Sequence, residues 1–189
     1  FSDGSSTSYV DAVIRVNGTM AYVHRGGLHL MQTSITPTEG STKHEVEYDV
    51  AAYRVDMELI ASNPSPRIEF QQKAPGIIRH ILPGGGKDGF VADRYNAIVY
   101  HEVWPGIDLR MHVNSLGVKY DFIVHPGADA QQIAFRYVGG SAPTLQPNGD
   151  LTLTTPLGTI GEHAPVVFES HANGTRGKDV GARFLVDGS

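Results

Sequence analysis

Alternation of apolar and polar side chains is the feature that most constrains what this chain can fold into. Val10, Ala12, Ile14 and Val16 share one parity, and the same pattern recurs along the chain, for example over 107–113 and 118–124. Successive side chains of a strand point to opposite faces, so each run predicts a strand with one buried face. Turn residues separate the runs at intervals of about 8–12 residues, which is typical of a sandwich or barrel. We therefore predict an all-β protein of antiparallel, β-sandwich-like architecture with two packed β halves.

One hairpin can be predicted with its register. Asn17-Gly18 is the strongest short hairpin signal, because both central residues of a type I′ turn need positive φ. A two-residue turn there sets Ile14 opposite Ala21 and Val13 opposite Tyr22.

Three other segments carry more specific expectations. The strand expected over 44–60 changes phase around Ala51-Ala52, which requires a bulge or a change of sheet. Residues 77–82 fit either one helical turn or a buried strand. The last strand is expected over 181–186.

Composition excludes several classes of protein. The 189 residues include 22 Gly and 11 Pro, which opposes a helical fold. Charged residues make up 19 % and the net charge is -5, which fits neither an acidic disordered tail nor a basic nucleic-acid binder. The absence of Cys excludes disulfides, thiolate zinc sites and cysteine nucleophiles. Because of this charge balance we expect no nucleic-acid partner. No apolar stretch of about 18 residues exists, so we expect no membrane insertion.

The segment Pro83–Gly89 (PGGGKDG) is the predicted linker between two β halves, 1–82 and 90–189. One continuous β domain is the alternative. The segment resembles a phosphate-binding loop, but Asp88 follows Lys87 where that motif needs Ser or Thr, and a carboxylate there would repel phosphate.

No constellation of residues predicts a reaction. His101-Glu102 begins like a zinc-protease helix, but Pro105 stands where the second His is needed. Four carboxylates that lie near each other in sequence would be scattered by strand spacing; they are Asp88, Asp93, Glu102 and Asp108. We expect a non-enzyme with no catalytic, cofactor-binding or metal-binding residues, and a hydrolase with paired carboxylates ranks last.

Three aromatic residues follow the predicted linker: Tyr95, Tyr100 and Trp104. They could form a sugar-stacking patch, which makes a carbohydrate-binding module the alternative function. Core packing is the favoured interpretation, because Trp and Tyr supply much of a sandwich interior.

Two stretches carry a family resemblance. They are Val103-Trp104-Pro105-Gly106-Ile107-Asp108-Leu109, and the run from Val118 to Asp129 that contains Tyr120-Asp121-Phe122 and Pro126-Gly127. Together they resemble the N-terminal β-rich domain of bacterial secreted proteins with β-propeller (SBBP-type) repeats and of gliding-motility-associated surface proteins.

This resemblance implies a non-catalytic module of an exported, extracellular or cell-surface protein. Its partners would be other domains of the same polypeptide or neighbouring copies. Surface glycans are a further candidate partner. We interpret the motif residues themselves as structural. Pro105-Gly106 is suited to the centre of a type II turn, and Asp108 could accept hydrogen bonds from backbone amides at that turn.

We therefore expect a structural, adhesion or assembly module that self-associates by strand addition at an exposed edge, which could build a filament. The chain begins at Phe1 without Met and ends just after a strand-like run, so a longer natural chain is also expected.

Overall fold

The computed structural model describes residues 10–16, 19–38, 47–80, 90–114, 117–171 and 173–187. Strands hold 66 % of these residues, and they include no α-helix and one short 3-10 turn, Ala130–Gln132. The predicted all-β, antiparallel, sandwich-like class is confirmed.

Four sheets contain the strands of the described residues. The first is hydrogen-bonded in the order β1 (Ala12–Val16), β2 (Thr19–His24), β3 (Gly27–Pro37), β4 (Tyr48–Leu59), β9 (Phe135–Val138). The second has the order β5 (Arg67–His80), β6 (Phe90–Trp104), β7 (Ile107–Asn114), β8 (Gly117–Val124). The third contains β10 (Thr144–Leu145), β11 (Leu151–Thr155) and β12 (Gly158–Glu162), and the fourth pairs β13 (Val167–Ser170) with β14 (Arg176–Val180).

Residue contacts divide the chain into two compact units that are interleaved in sequence. The first comprises the described residues within Phe1–Leu30 and Asp56–Arg136, and the second those within Met31–Val55 and Tyr137–Ser189. This division differs from the expected split into 1–82 and 90–189. Residues 83–89 lie outside the described residues, but β5 and β6 on either side of them pair along their length, which places both strands in one unit.

The core of the first unit centres on β6 and β7. Tyr100, Ile107, Leu109 and Met111 are buried almost completely, joined by Val23 of β2 and Met57 of β4. The burial predicted for the apolar parity of β7 is therefore confirmed for Ile107, Leu109 and Met111, whereas Val113 is exposed. In the second unit Val55, Leu151 and Leu153 are the buried apolar residues.

The predicted register of the first hairpin is confirmed. Val13 lies opposite Tyr22 and Ile14 opposite Ala21. The turn residues 17–18 lie outside the described residues.

Two sequence-based expectations need correction. The strand expected over 181–186 is absent: residues 181–187 form no strand, and they pair with no other described strand. Residues 77–80 continue β5, but Ile77 and Ile78 are exposed rather than buried. A third expectation is wrong in part: β4 lies in one sheet through Ala51-Ala52, so no change of sheet occurs there, while the bulge stays a prediction. Tyr48 and Val50 are exposed, so the apolar residues of the first part of β4 do not form a second buried face.

Candidate functional site

The corner between β6 and β7 contains the most distinctive motif of the sequence. Pro105-Gly106 forms a two-residue turn closed by the pair Trp104 and Ile107, and Gly106 has φ +71°. That positive φ is the one predicted for the third position of a type II turn. A Cβ at Gly106 would also lie 2.8 Å from the Cβ of Ala128, so glycine is required there by conformation and by space.

A bulge in β6 precedes this turn and places a carboxylate against the backbone. Three residues of β6 (101–103) face only Asp108 of β7, between the pairs Tyr100–Leu109 and Trp104–Ile107. Glu102, inside the bulge, has φ +53° and leaves its N–H without a ladder partner. Asp108 Oδ1 accepts that N–H at 2.8 Å, so the predicted capping role of Asp108 is confirmed.

The other oxygen of Asp108 joins a chain of titratable side chains. Asp108 Oδ2 lies 3.1 Å from His101 Nδ1 and 3.1 Å from His125 Nε2. His101 Nε2 lies 2.9 Å from Glu69 Oε2 on β5. Both nitrogens of the His101 ring therefore face carboxylate oxygens, and the series Glu69, His101, Asp108, His125 ties three strands and the turn after β8 together.

Asp108 stays ionised in spite of its burial. Only 7 % of the residue is exposed, and burial alone would raise the pKa of the carboxyl. The Glu102 N–H and the imidazoles of His125 and His101 lower it more in sum, and the net result is a pKa below the ordinary value. A carboxylate whose two oxygens are already occupied in this way is suited to holding the corner, not to exchanging protons with a substrate.

The series Glu69, His101, Asp108, His125 does not form a metal-binding arrangement. Among the described residues, no group of three or more His, Asp or Glu has donors placed to hold a metal ion.

Two of the three residues proposed to contact a glycan are buried, so that prediction is wrong for them. Trp104 is 2 % exposed and its indole N–H donates to the Ile60 carbonyl at 3.0 Å. Tyr100 is fully buried, and its hydroxyl donates to Asp11 Oδ2 at 3.1 Å. Burial, the neighbouring Asp11 carboxylate and that hydrogen bond all raise the pKa of Tyr100. Neither ring can stack on a sugar.

Tyr95 is the exposed member of the three. It is 38 % exposed, and its ring packs against Phe70 with centroids 5.0 Å apart. The structure therefore does not bring the three aromatic residues together into a binding platform.

The remaining motif residues support the corner or lie on the surface of β8. Phe122 packs on Trp104 with ring centroids 5.7 Å apart, and Tyr120 packs edge-on against Phe122 at 5.6 Å. Asp121 is exposed; its Oδ2 forms an ion pair with Arg110 at 3.2 Å and lies 3.0 Å from His112 Nε2.

Pro126-Gly127 turns the chain after β8, with Gly127 at φ +86°. The N–H of His125 donates to the Gly106 carbonyl at 2.9 Å, which fixes this turn beside the corner.

Sequence reasoning missed Glu69, His101 and His125 as partners of Asp108. Strand pairing brings them together from positions up to 56 residues apart (125 minus 69), so no spacing rule could find the set. The signal that was available was Asp108 itself, a carboxylate within a strand whose neighbours are apolar.

The exposed sheet edges differ in how far they are protected from pairing. The free edge of β5 contains a bulge between Ala74 and Ile77, with Pro75 inside it and Gln72 at φ +56° just before it. Prolines and bulges are features that hinder pairing with another strand. β5 is therefore a protected edge.

β13 has no such protection. All four of its residues are exposed, including Val167 and Phe168, and the preceding Val166 is 71 % exposed. The register irregularity of this sheet places the extra residue on β14, because one residue separates Phe168 from Ser170 and two separate their partners Asp179 and Arg176. The outer edge of β13 contains no bulge and no proline, exposes Val167 and Phe168 beside Glu169, and is unpaired within the described residues.

Comparison with known proteins gives a family and no function. A family model with the description "Domain of unknown function (DUF7948)" matches residues 2–189. Neither the curated proteins nor the solved structures contain a significant match to the chain. Within the described residues, no helix is long and apolar enough to cross a membrane.

Proposed function

We propose that this chain, which belongs to the DUF7948 family, is a non-catalytic β scaffold of a secreted or cell-surface bacterial protein. In this proposal it associates with neighbouring copies, or with other domains of the same polypeptide, by strand addition at an exposed sheet edge. The resemblance of residues 103–109 and 118–129 to a domain of exported bacterial proteins supports the location.

The observation that carries the proposal is the outer edge of β13. A two-stranded sheet is marginally stable in water by itself, and a third strand with an apolar face stabilises it. The β13–β14 sheet exposes Val167 and Val180 as a cross-strand pair, and Phe168 on the next position. An added strand would satisfy the unpaired backbone groups of β13 and cover these side chains.

The positions of the carboxylates support a scaffold over a hydrolase. Asp108 is engaged by the backbone and two imidazoles, and Asp93 forms an ion pair with Lys73 at 2.8 Å. Glu102 is exposed, on the rim of a shallow, open depression lined by Ala61, Asn63 and Pro105. Asp108 and Asp93 are thus held by structural partners and Glu102 lies on an open surface, while Asp88 lies outside the described residues.

Sedimentation velocity over a range of protein concentrations tests the proposal. We expect the chain to form oligomers as its concentration rises, and Val167→Lys to weaken them by placing a charge on the accepting edge. Val113→Lys is the matched control, because Val113 is 44 % exposed, close to the 40 % of Val167, but lies on the inner strand β7. A chain that stays monomeric at every concentration would contradict the self-assembly proposed here.

A further inference from the structure

The segment 181–187 (GARFLVD) has the composition of a strand but forms none. Leu185 is 79 % exposed and Val186 is 43 % exposed. The segment follows β14 directly, so it lies close in sequence to the unprotected edge of β13. We propose that residues 181–187 of one copy add to β13 of a second copy as an antiparallel strand. This inference rests on the proposed assembly function and names the partner.

The two sequences are complementary in a single antiparallel register. If Arg183 lies opposite Glu169, then Leu185 lies opposite Val167 and Val186 opposite Val166, while Ala182 lies opposite Ser170. Apolar residues then face apolar residues and a guanidinium faces a carboxylate, and such cross-strand pairs stabilise a sheet.

A shift of one residue destroys this match. It places Ala182 or Phe184 opposite Glu169 and moves every side chain of the segment to the other face. Phe184 already makes contacts within its own chain. In the matched register these contacts are replaced by a cross-strand contact with Phe168 of the second copy.

The segment cannot reach this position within its own chain. Val180 lies opposite Val167, at the far end of β13 from Ser170. In the proposed register Ala182 would have to lie beside Ser170 on the free edge of β13. That place is about three residues along the strand and two strand spacings across the sheet from Val180, a distance of about 14 Å. The two residues 181–182 span at most about 7 Å. A segment that runs parallel to β13 within the chain loses the matched pairs, because with Arg183 beside Glu169 it places Leu185 beside His171 instead of Val167.

The donor must therefore come from another copy. The donor segment and the acceptor edge are different surfaces of the chain, so each copy can donate to one neighbour and accept from another. Such a heterologous contact builds an open filament when its rotation does not close a ring.

Charge reversal tests the inference. Glu169→Arg and Arg183→Glu should each weaken self-association by about tenfold in apparent Kd, because each replaces an attractive pair by a like-charge pair. The double variant should recover association, and so should an equimolar mixture of the two single variants, since each acceptor then meets a complementary donor. Lys119→Glu is the control, because Lys119 is an exposed charge on β8, outside both the donor segment and the β13–β14 sheet.

The outcomes separate this inference from the proposed function. Circular dichroism and urea unfolding of each variant establish that the monomer is folded. If the single variants assemble like the unaltered chain, assembly stands and the assignment of these two segments is overturned. If the unaltered chain does not assemble, both fail.

Discussion

Asp108 replaces a hydrogen bond that the β6 bulge removes from the sheet. Its Oδ1 accepts the Glu102 N–H at 2.8 Å in a part-buried hydrogen bond, and Asp108 itself is buried. Leaving a buried N–H without an acceptor costs about 1–3 kcal/mol. We expect Asp108→Ala to lower the free energy of unfolding by about that amount, measured by urea denaturation.

Asp121→Ala is the matched control for that experiment. Asp121 also contacts two side chains, Arg110 and His112, but its side chain is about half exposed. Surface ion pairs contribute about 0–1 kcal/mol, so this change should cost less than Asp108→Ala. Equal losses in the two variants would show that Asp108 does not hold the corner.

The lowered pKa of Asp108 also determines how stability depends on pH. The unfolded carboxyl titrates near about 3.9, and the folded carboxyl titrates below that value. As the pH falls, the unfolded state takes up the proton first, so the stabilising contribution is complete above about pH 4 and is lost as the pH falls through the folded pKa.

Asp108→Asn removes this titration. We expect the free energy of unfolding of the unaltered chain to fall more steeply below about pH 4 than that of the variant, in urea titrations at a series of pH values. Parallel curves for the two proteins would contradict the assignment.

At the scale of elements, local sequence determines some registers, and long-range pairing determines the rest. Asn17-Gly18 specifies a two-residue connection, and turn length sets the register, so the pairing of β1 with β2 followed from the sequence. The β6 bulge carries no comparable local signal. It becomes apparent only when β7 is aligned beside β6, which is also what brings His101 to Asp108.

Gly27, the first residue of β3, has a role that depends on its neighbour β4. It has φ +138°, and a Cβ built on it would overlap the carbonyl oxygen of Met57. Alanine there would meet both backbone strain and a backbone clash, so we expect Gly27→Ala to destabilise by at least about 2 kcal/mol.

Gly26→Ala provides the comparison for thermal or urea unfolding. A Cβ at Gly26 meets only the His24 ring at 3.5 Å, an ordinary contact distance. We expect a small change for this variant. A loss at Gly26 as large as that at Gly27 would mean that the whole β2–β3 turn, and not the approach of β4, restricts these positions.

For the whole molecule, the sequence established the class but not the division into units. A Gly-rich stretch such as 83–89 is typical of linkers, yet the strands around it pair with each other. β3 and β4 instead contribute residues to both units, so the division falls inside strands, where composition does not change. The strand expected over 181–186 does not form, for a related reason. Alternation of apolar and polar residues indicates that a segment is able to pair, but it does not indicate whether a neighbouring strand is available.

Hydrogen–deuterium exchange at residues 166–170 tests the central claim most directly, namely that β13 receives a strand from another molecule. The outward amides of this edge have no partner among the described residues of their own chain. Our account expects the backbone amides of this segment to exchange more slowly as the protein concentration rises, while those of the inner strand β7 keep the same rates. Exchange at 166–170 that does not change between dilute and concentrated protein would contradict it.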